Sequence, residues 1–189
     1  MMKKYIRTIG IDDAPFSRKE KVTSIIGVIM RGAYIVEEII KSEIEVDGLD
    51  ATGKIIDMVK KRRAECLCAI ILDGVTFGGF NVVDVKEINK RTSIPVITMT
   101  RKKPDILQMK KALSNVPFSD RKLELINGEL PQEIDMHGRK IYVNCEGASL
   151  EIAKLILKRT TLHGLVPEPL RLAHMIGQAY KTGMSYSKA

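Results

Sequence analysis

Two aspartates stand where chemistry on a phosphate would need them. Asp12 follows an alternating run, Tyr5 to Ile11, and Asp73 closes the apolar run Cys66-Leu67-Cys68-Ala69-Ile70-Ile71-Leu72. If those runs are neighbouring parallel strands, about 4.8 Å apart, both carboxylates fall at one carboxyl edge, where open α/β sheets collect ligands. Two unit charges at such range repel by about 4 kcal/mol at an effective dielectric of 20. A divalent cation relieves that repulsion. Mg²⁺, a hard ion that takes one or two carboxylates plus water and phosphate oxygens, suits the pair. Asp47 or Asp50, at the start of the following helix, is placed to add a third acid. The alternatives are plain: an Asp after a strand is also a turn residue, and Asp50 is also a helix N-cap. Asp13 is set aside, because strand geometry points its side chain opposite to that of Asp12.

Around these acids lie groups suited to a polyanion. The loop Asp73-Gly-Val-Thr-Phe-Gly-Gly-Phe-Asn81 precedes a helix, so its backbone N–H groups can receive a phosphate. It lacks the Gly-Lys-Ser/Thr ending of a P-loop, and no GxGxxG occurs, which argues against a nucleotide cofactor. Gly78 and Gly79 would let a nucleic-acid backbone come close, while Phe77 and Phe80 are each either a base-stacking surface or core. Arg101-Lys102-Lys103 follows another strand end on the same edge and reads as a phosphate contact or a solvated loop. Arg171, His174, Gln178 and Lys181 form a polar stripe on the last helix. By pattern alone, a histidine in such a stripe faces solvent more often than it does chemistry. His137 and His163 read as loop residues.

The elements that must position these groups can be traced along the chain. Tyr5–Ile11, Val22–Met30 and Tyr34–Val46 read as an antiparallel meander, with a tight turn at Arg31-Gly32. The third run is expected to place Tyr34, Val36, Ile40, Ile44 and Val46 on one face. A helix from Asp50 through Arg63 follows, then the Cys66–Leu72 strand, whose lack of alternation marks it as central, parallel and covered on both faces. Helices near Asn81–Lys90 and from Pro104 flank a strand at Ile94–Thr100. The order is β-β-β-α-β-α-β-α: an α/β fold with a mixed sheet, an antiparallel meander followed by parallel strands, and helices on both faces. Beyond it, Phe118–Ile126 reads as a short helix and Glu133–Cys145 as a hairpin turning at His137-Gly138. Ala148–Lys158 and a segment from Pro169 to about Tyr180 read as helices, with residues from about 182 frayed.

Composition narrows the class. A chain of 189 residues can bury about 70% of its unfolded surface, so residues 1–189 are expected to form one domain. No apolar run reaches the ~20 residues of a membrane span, and no signal-peptide pattern opens the sequence. Cys66 and Cys68 read as small buried hydrophobes in a reducing cytoplasm, and without CxxC or HxxxH spacing a thiolate metal site is not expected. A net charge of +8 suits a polyanionic partner.

Taken as a set, GIDDAPF (10–16), VDGLDAT (46–52), LDGVTFGGFNVVD (72–84), IPVITMTRKKPD (94–105) and PEPLRLAHMIGQAY (167–180) resemble the archaeal endonuclease dU family. The resemblance runs from near Tyr5 to about Ser185. That family looks like a distant relative of endonuclease V, an RNase H-like enzyme that uses Mg²⁺ to hydrolyse a phosphodiester near a deaminated base. The resemblance therefore implies an RNase H-like fold and a Mg²⁺- or Mn²⁺-dependent endonuclease of DNA repair. Its expected partner is DNA, or RNA, and its target a damaged base such as deoxyuridine. Asp12 matches the aspartate of the GxD motif and Asp73 that of the DG motif. Arg101 takes the place of a lysine after the fifth strand, and His174 that of a late histidine. Where endonuclease V has a glutamate at the start of a helix, this chain offers Asp47 or Asp50. The expected metal ligands are Asp12, Asp73 and Asp50, with Asp47 and His174 as further catalytic groups. Phe77, Gly78, Gly79, Phe80, Arg101, Lys102 and Arg171 are the expected nucleic-acid contacts. The other reading is a non-catalytic nucleic-acid-binding protein on the same fold, whose binding would depend on salt and not on metal.

Overall fold

The computed structural model describes residues 6–17, 19–60, 67–126 and 130–185. Seven strands make one mixed sheet. β1 (Arg7–Asp13), β2 (Val22–Arg31) and β3 (Ile35–Glu45) form the antiparallel meander, and β4 (Leu67–Asp73) and β7 (Val96–Thr100) continue it in parallel with β1. The hairpin of β8 (Gln132–Met136) and β9 (Arg139–Glu146) completes the far edge, with β9 antiparallel to β7, in the order β3-β2-β1-β4-β7-β9-β8. His137 and Gly138 make its turn, both at positive φ.

Strand alternation divides the core between two helical layers. Ile9 and Ile11 of β1 and Ile70 and Leu72 of β4 pack beneath α1 (Ala51–Lys60) and α2 (Val85–Thr92). On the other face, Ile71, Ile97 and Val143 pack with Ala153, Ile156 and Leu157 of α5 (Leu150–Thr160) and Leu170 of α6 (Glu168–Thr182). Two short helices, α3 (Ile106–Leu113) and α4 (Ser119–Ile126), close a smaller cluster with Val82. No described helix is long and apolar enough to cross a membrane.

α6 lies unusually close to β1. A Cβ on Gly10 would stand 2.3 Å from the Leu170 nitrogen and 2.4 Å from the Pro169 carbonyl carbon. One end of the helix is thus seated on a strand position where only hydrogen fits. Further along, a Cβ on Gly177 would stand 3.2 Å from the Ala14 Cα. Asp12 lies between these two close approaches.

Several expectations are corrected. The loop after Asp73 contains a two-stranded ribbon, β5 (Thr76–Phe77) with β6 (Asn81–Val82), so α2 starts at Val85 and not near Asn81. Asp84 caps it by accepting from the Glu87 N–H at 2.9 Å. Phe77 is only 1% exposed and packs in the α1 core, which removes it as a stacking surface. Phe80 is partly buried against the α3–α4 cluster. In β3 the expected single apolar face is broken: Ile29 pairs with Glu38 but Met30 with Val36, leaving Glu37 as a bulge. The bulge turns Val36 outward while Ile44 stays buried, and Glu37 pairs with Arg7 and Arg31. Cys68 is exposed, not buried. Tyr5, Cys66, residues 61–63 of the expected helix and the tail beyond 185 lie outside the described residues; Thr182 itself is still helical.

Candidate active site

The last paired residues of β1 and β4 are Ile11 and Leu72, one position before Asp12 and Asp73. Both aspartates therefore leave adjacent parallel strands at the same edge. Each follows the parity of the residues beneath α6, Gly10 on β1 and Ile71 on β4, so they share a face as well. Asp12 is buried, at 5% exposure. Its Oδ1 accepts from the Asp13 N–H at 2.9 Å, and its Oδ2 lies 2.7 Å from His174 Nδ1 on α6. The other ring nitrogen of His174 is 3.0 Å from the Gln178 amide nitrogen. In the neutral ring with its hydrogen on Nδ1, Nδ1–H donates to Asp12 and Nε2 accepts from Gln178. The hydrogen bond that His174 donates to Asp12, helped by the charges of Asp12 and Asp73, raises the His174 pKa against the effects of burial and Arg101.

The acids are strained electrostatically. Crowding by surrounding protein and the charge of Asp12 push the Asp73 carboxyl up to about 6, against Arg101 and His174, which lower it. Because Asp73 keeps an exposed side chain, repulsion by Asp12 is the cause that the geometry supports best. Asp13 is also pushed up to about 6, first by burial and then by Asp12. Its side chain does point away from His174, as alternation requires, and its Oδ2 accepts from the Gly78 N–H at 2.8 Å. It nevertheless belongs to the same charge cluster. Strand parity alone gave no sign of this, because at a strand end the charges of both faces lie within mutual reach.

The structure does not bring Asp47 or Asp50 into this cluster; both organise the loop beside it. Asp47, at φ 55°, accepts from the Phe80 N–H at 2.7 Å through Oδ1, and its carbonyl receives the buried Lys122 ammonium at 2.5 Å. Burial lowers the Lys122 pKa, and Asp47 opposes that shift. Asp50 Oδ1 accepts from the Glu45 N–H and from Asn81 Nδ2 at 2.7 Å. The first helical N–H, that of Ala51, goes to Asn81 Oδ1 at 3.1 Å, so the cap comes from a residue 30 positions downstream. Asn81 is fully buried and also donates to the Glu45 carbonyl. Asn81→Ala should cost about 3 kcal/mol, because it strands several buried partners together. Chemical denaturation of the variant measures this.

Gly78 and Gly79 sit in the loop held by Asp13 and Asp47; a Cβ on Gly79 would come within 2.4 Å of Asp47 Oδ1. Arg101 and Lys102 are exposed, and the charge of Arg101 reaches both Asp73 and His174. Arg171 turns instead to the buried Glu168, with two guanidinium bonds of 2.9 and 2.7 Å. That i,i+3 pairing was available in the sequence as Glu168-Pro-Leu-Arg171. A cavity of about 400 Å³ opens beside Asp73 on the α2 side of the sheet, lined by Thr98 and Thr100 of β7, Tyr142 and Asn144 of β9, and Ile106 of α3.

Comparison with known proteins places the chain. The model of the endonuclease dU family matches residues 4–181. A UPF0215 protein of Thermococcus sibiricus is 43% identical over 192 residues, covering 97% of this chain and 96% of the relative. A crystal structure of a protein of unknown function from Archaeoglobus fulgidus has a TM-score of 0.83 at 32% identity, covering 93% of this chain and 98% of that one. Ciona intestinalis endonuclease V, in complex with a 24mer DNA containing an inosine followed by a ribo-adenosine, has a TM-score of 0.58 at 14% identity, covering 90% and 83%. That last likeness is one of fold, and the fold is RNase H-like. With the family model matched from β1 to the last turn of α6, the chain belongs to the endonuclease dU family.

Proposed function

We propose that this protein is a metal-dependent endonuclease that hydrolyses a phosphodiester in DNA near a deaminated or damaged base such as deoxyuridine. The observation that carries the reading is the placement of Asp12 and Asp73 on adjacent parallel strands, on one face of one edge, with His174 held against Asp12. The donor set fits a hard divalent cation. Among the described residues no three of His, Cys, Asp or Glu converge as a cage, so the fit is to an ion that takes two carboxylates and completes its shell with water and phosphate oxygens. Asp12 and Asp73 would hold Mg²⁺ or Mn²⁺, which when bound supplies an acidified water and charge stabilisation.

The remaining groups act from the protein side. Asp12 fixes the imidazole ring and raises its affinity for a proton, so His174 is suited to hold or pass one. A proton on Nε2 would oppose the Gln178 amide hydrogens, so taking it up requires that amide to turn or release the ring. Arg101, exposed and with its charge reaching Asp73 and His174, is placed to meet a phosphate, whereas the Gly74, Gly78 and Phe80 N–H groups of the glycine loop are already taken by Leu72 and Met99, Asp13 and Asp47 and do not receive one as the sequence suggests. The cavity beside Asp73 is of a size to admit a base drawn out of the stack.

Purified protein with Mg²⁺ or Mn²⁺ should nick uracil-containing duplex DNA and leave the undamaged duplex intact, as read on a denaturing gel. Absence of nicking, or equal nicking by a double Asp12→Ala, Asp73→Ala variant, defeats the proposal. The engagement of Asp47 and Asp50 elsewhere favours a second reading, a protein that binds nucleic acid without cutting it. It requires salt-sensitive binding that is unchanged by a chelator.

The charge cluster also sets a pH dependence. Asp13 and Asp73 titrate at about 6 in the folded chain against 3.8 for the ordinary carboxyl, and His174 is raised as well. The folded state then holds protons that the unfolded state has released. Their stabilisation is complete below about pH 4 and is lost as pH rises through about 6, with His174 adding to the loss above it. In metal-free buffer Tm should fall between pH 4 and 7. Mg²⁺ should restore it at pH 7 and do little at pH 4, and a calorimetric pH series with and without chelator checks this.

A further inference from the structure

At the rim of the cavity, two large apolar side chains face solvent. Leu107, in the first turn of α3, is 81% exposed, and Leu130 is 66% exposed. They border a groove with Pro104, Ile106 and Pro131, and four of these five rim residues, all but Leu107, also line the cavity beside Asp73. The ridge stands on fixed ground. Asp105 caps α3 by accepting from the Gln108 N–H at 3.0 Å, and Ile106 and Met109 pack inward against Val82, Leu113 and Ile126. Leu107 therefore projects from a turn whose opposite side is core. Leaving such side chains in water gains nothing for folding.

The charges around the ridge select its partner. Arg101, Lys102, Lys103 and Lys111 are exposed along it. Asp105, which caps the helix, and Glu133, which pairs with Lys140 at 2.8 Å and also feels the charge of Lys103, offset only part of that positive charge. We propose that Leu107 and Leu130 form an apolar wedge that enters a base step of duplex DNA beside the nucleotide drawn into the cavity, with Arg101, Lys102, Lys103 and Lys111 on the flanking phosphates. Apolar wedges between base steps, backed by cationic phosphate contacts, are an established way to unstack a duplex. The inference rests on the reading of the neighbouring site as one that acts on DNA.

A duplex with one deoxyuridine and 2-aminopurine as the adjacent base tests it. In the presence of chelator, binding of wild type should raise 2-aminopurine fluorescence severalfold, as unstacking relieves quenching. The double variant Leu107→Ser, Leu130→Ser, with both changes on exposed positions, should keep the wild-type far-UV spectrum and lose most of that rise. With Mg²⁺ its nicking of the paired duplex should fall about tenfold, while nicking at a deoxyuridine already unpaired in a loop stays within about twofold. A wild type that binds without a fluorescence rise or does not bind duplex, or a variant with the full rise, overturns the wedge. So does a variant that differs only in sedimenting as a smaller species, which would make the ridge a contact between copies of this chain. A rise without nicking by wild type would keep the wedge and defeat the nuclease reading; nicking with the rise unaltered in the variant would do the reverse.

Discussion

Asp73→Asn should abolish nicking, by on the order of a thousandfold or more, and yet make the metal-free protein more stable at pH 7. The first effect follows from removing one of two carboxylates that would hold the cation. The second follows from the same geometry with the sign reversed. Asp73 is raised to about 6 in part by Asp12, so at pH 7 the ionised pair carries a repulsion that a neutral amide lacks. At pH 4, with Asp73 protonated in the folded chain, the gain in Tm should vanish. A residue that merely packs would lose stability along with activity. Single-turnover nicking and melting curves at the two pH values separate the cases, and wild-type nicking by the variant removes Asp73 from the site.

Gly10→Val should have the largest effect on stability. Three backbone atoms, Leu170 N, Pro169 C and Leu170 Cα, lie within 2.8 Å of where the new Cβ must go. No side chain can swing aside; either α6 lifts from β1 or the strand bends. Overpacking against yielding neighbours costs 1–3 kcal/mol, and an unyielding backbone puts this case at about 3 kcal/mol or above. For a chain of this size that corresponds to a fall in Tm of about 6–12 °C. The movement also parts His174 from Asp12, so the surviving folded fraction should nick poorly even at low temperature. A variant that melts and cuts like wild type would show that the close approach is not structural.

Much of this arrangement was legible in the residues. Asp12 and Asp73 each follow an apolar run, and a meander that leads into parallel crossovers puts such runs side by side. The turn at His137-Gly138 and the helix begun by Pro169 were equally local signals. What escaped depends on partners distant in sequence. Asp50 looks like a cap, but the cap of α1 is Asn81, and only the folded loop brings the two together. Phe77 in a glycine-rich loop has the composition of a binding surface, yet the β5–β6 ribbon folds it into the core. The bulge at Glu37 shifts the parity of β3 without any glycine or proline to announce it. The β8–β9 hairpin was visible as a hairpin, but nothing in it says that β9 pairs with β7.

The contact between Asp12 and His174 joins the first strand to the last helix across 162 positions. Chains leave the ribosome N-terminal end first, so the acids are in place while α6 is still being made. The histidine arrives only when that helix has emerged and settled onto Gly10 and Ala14. On the proposed reading, a half-made chain thus carries the two carboxylates without their imidazole, and the centre is assembled only once α6 has been made.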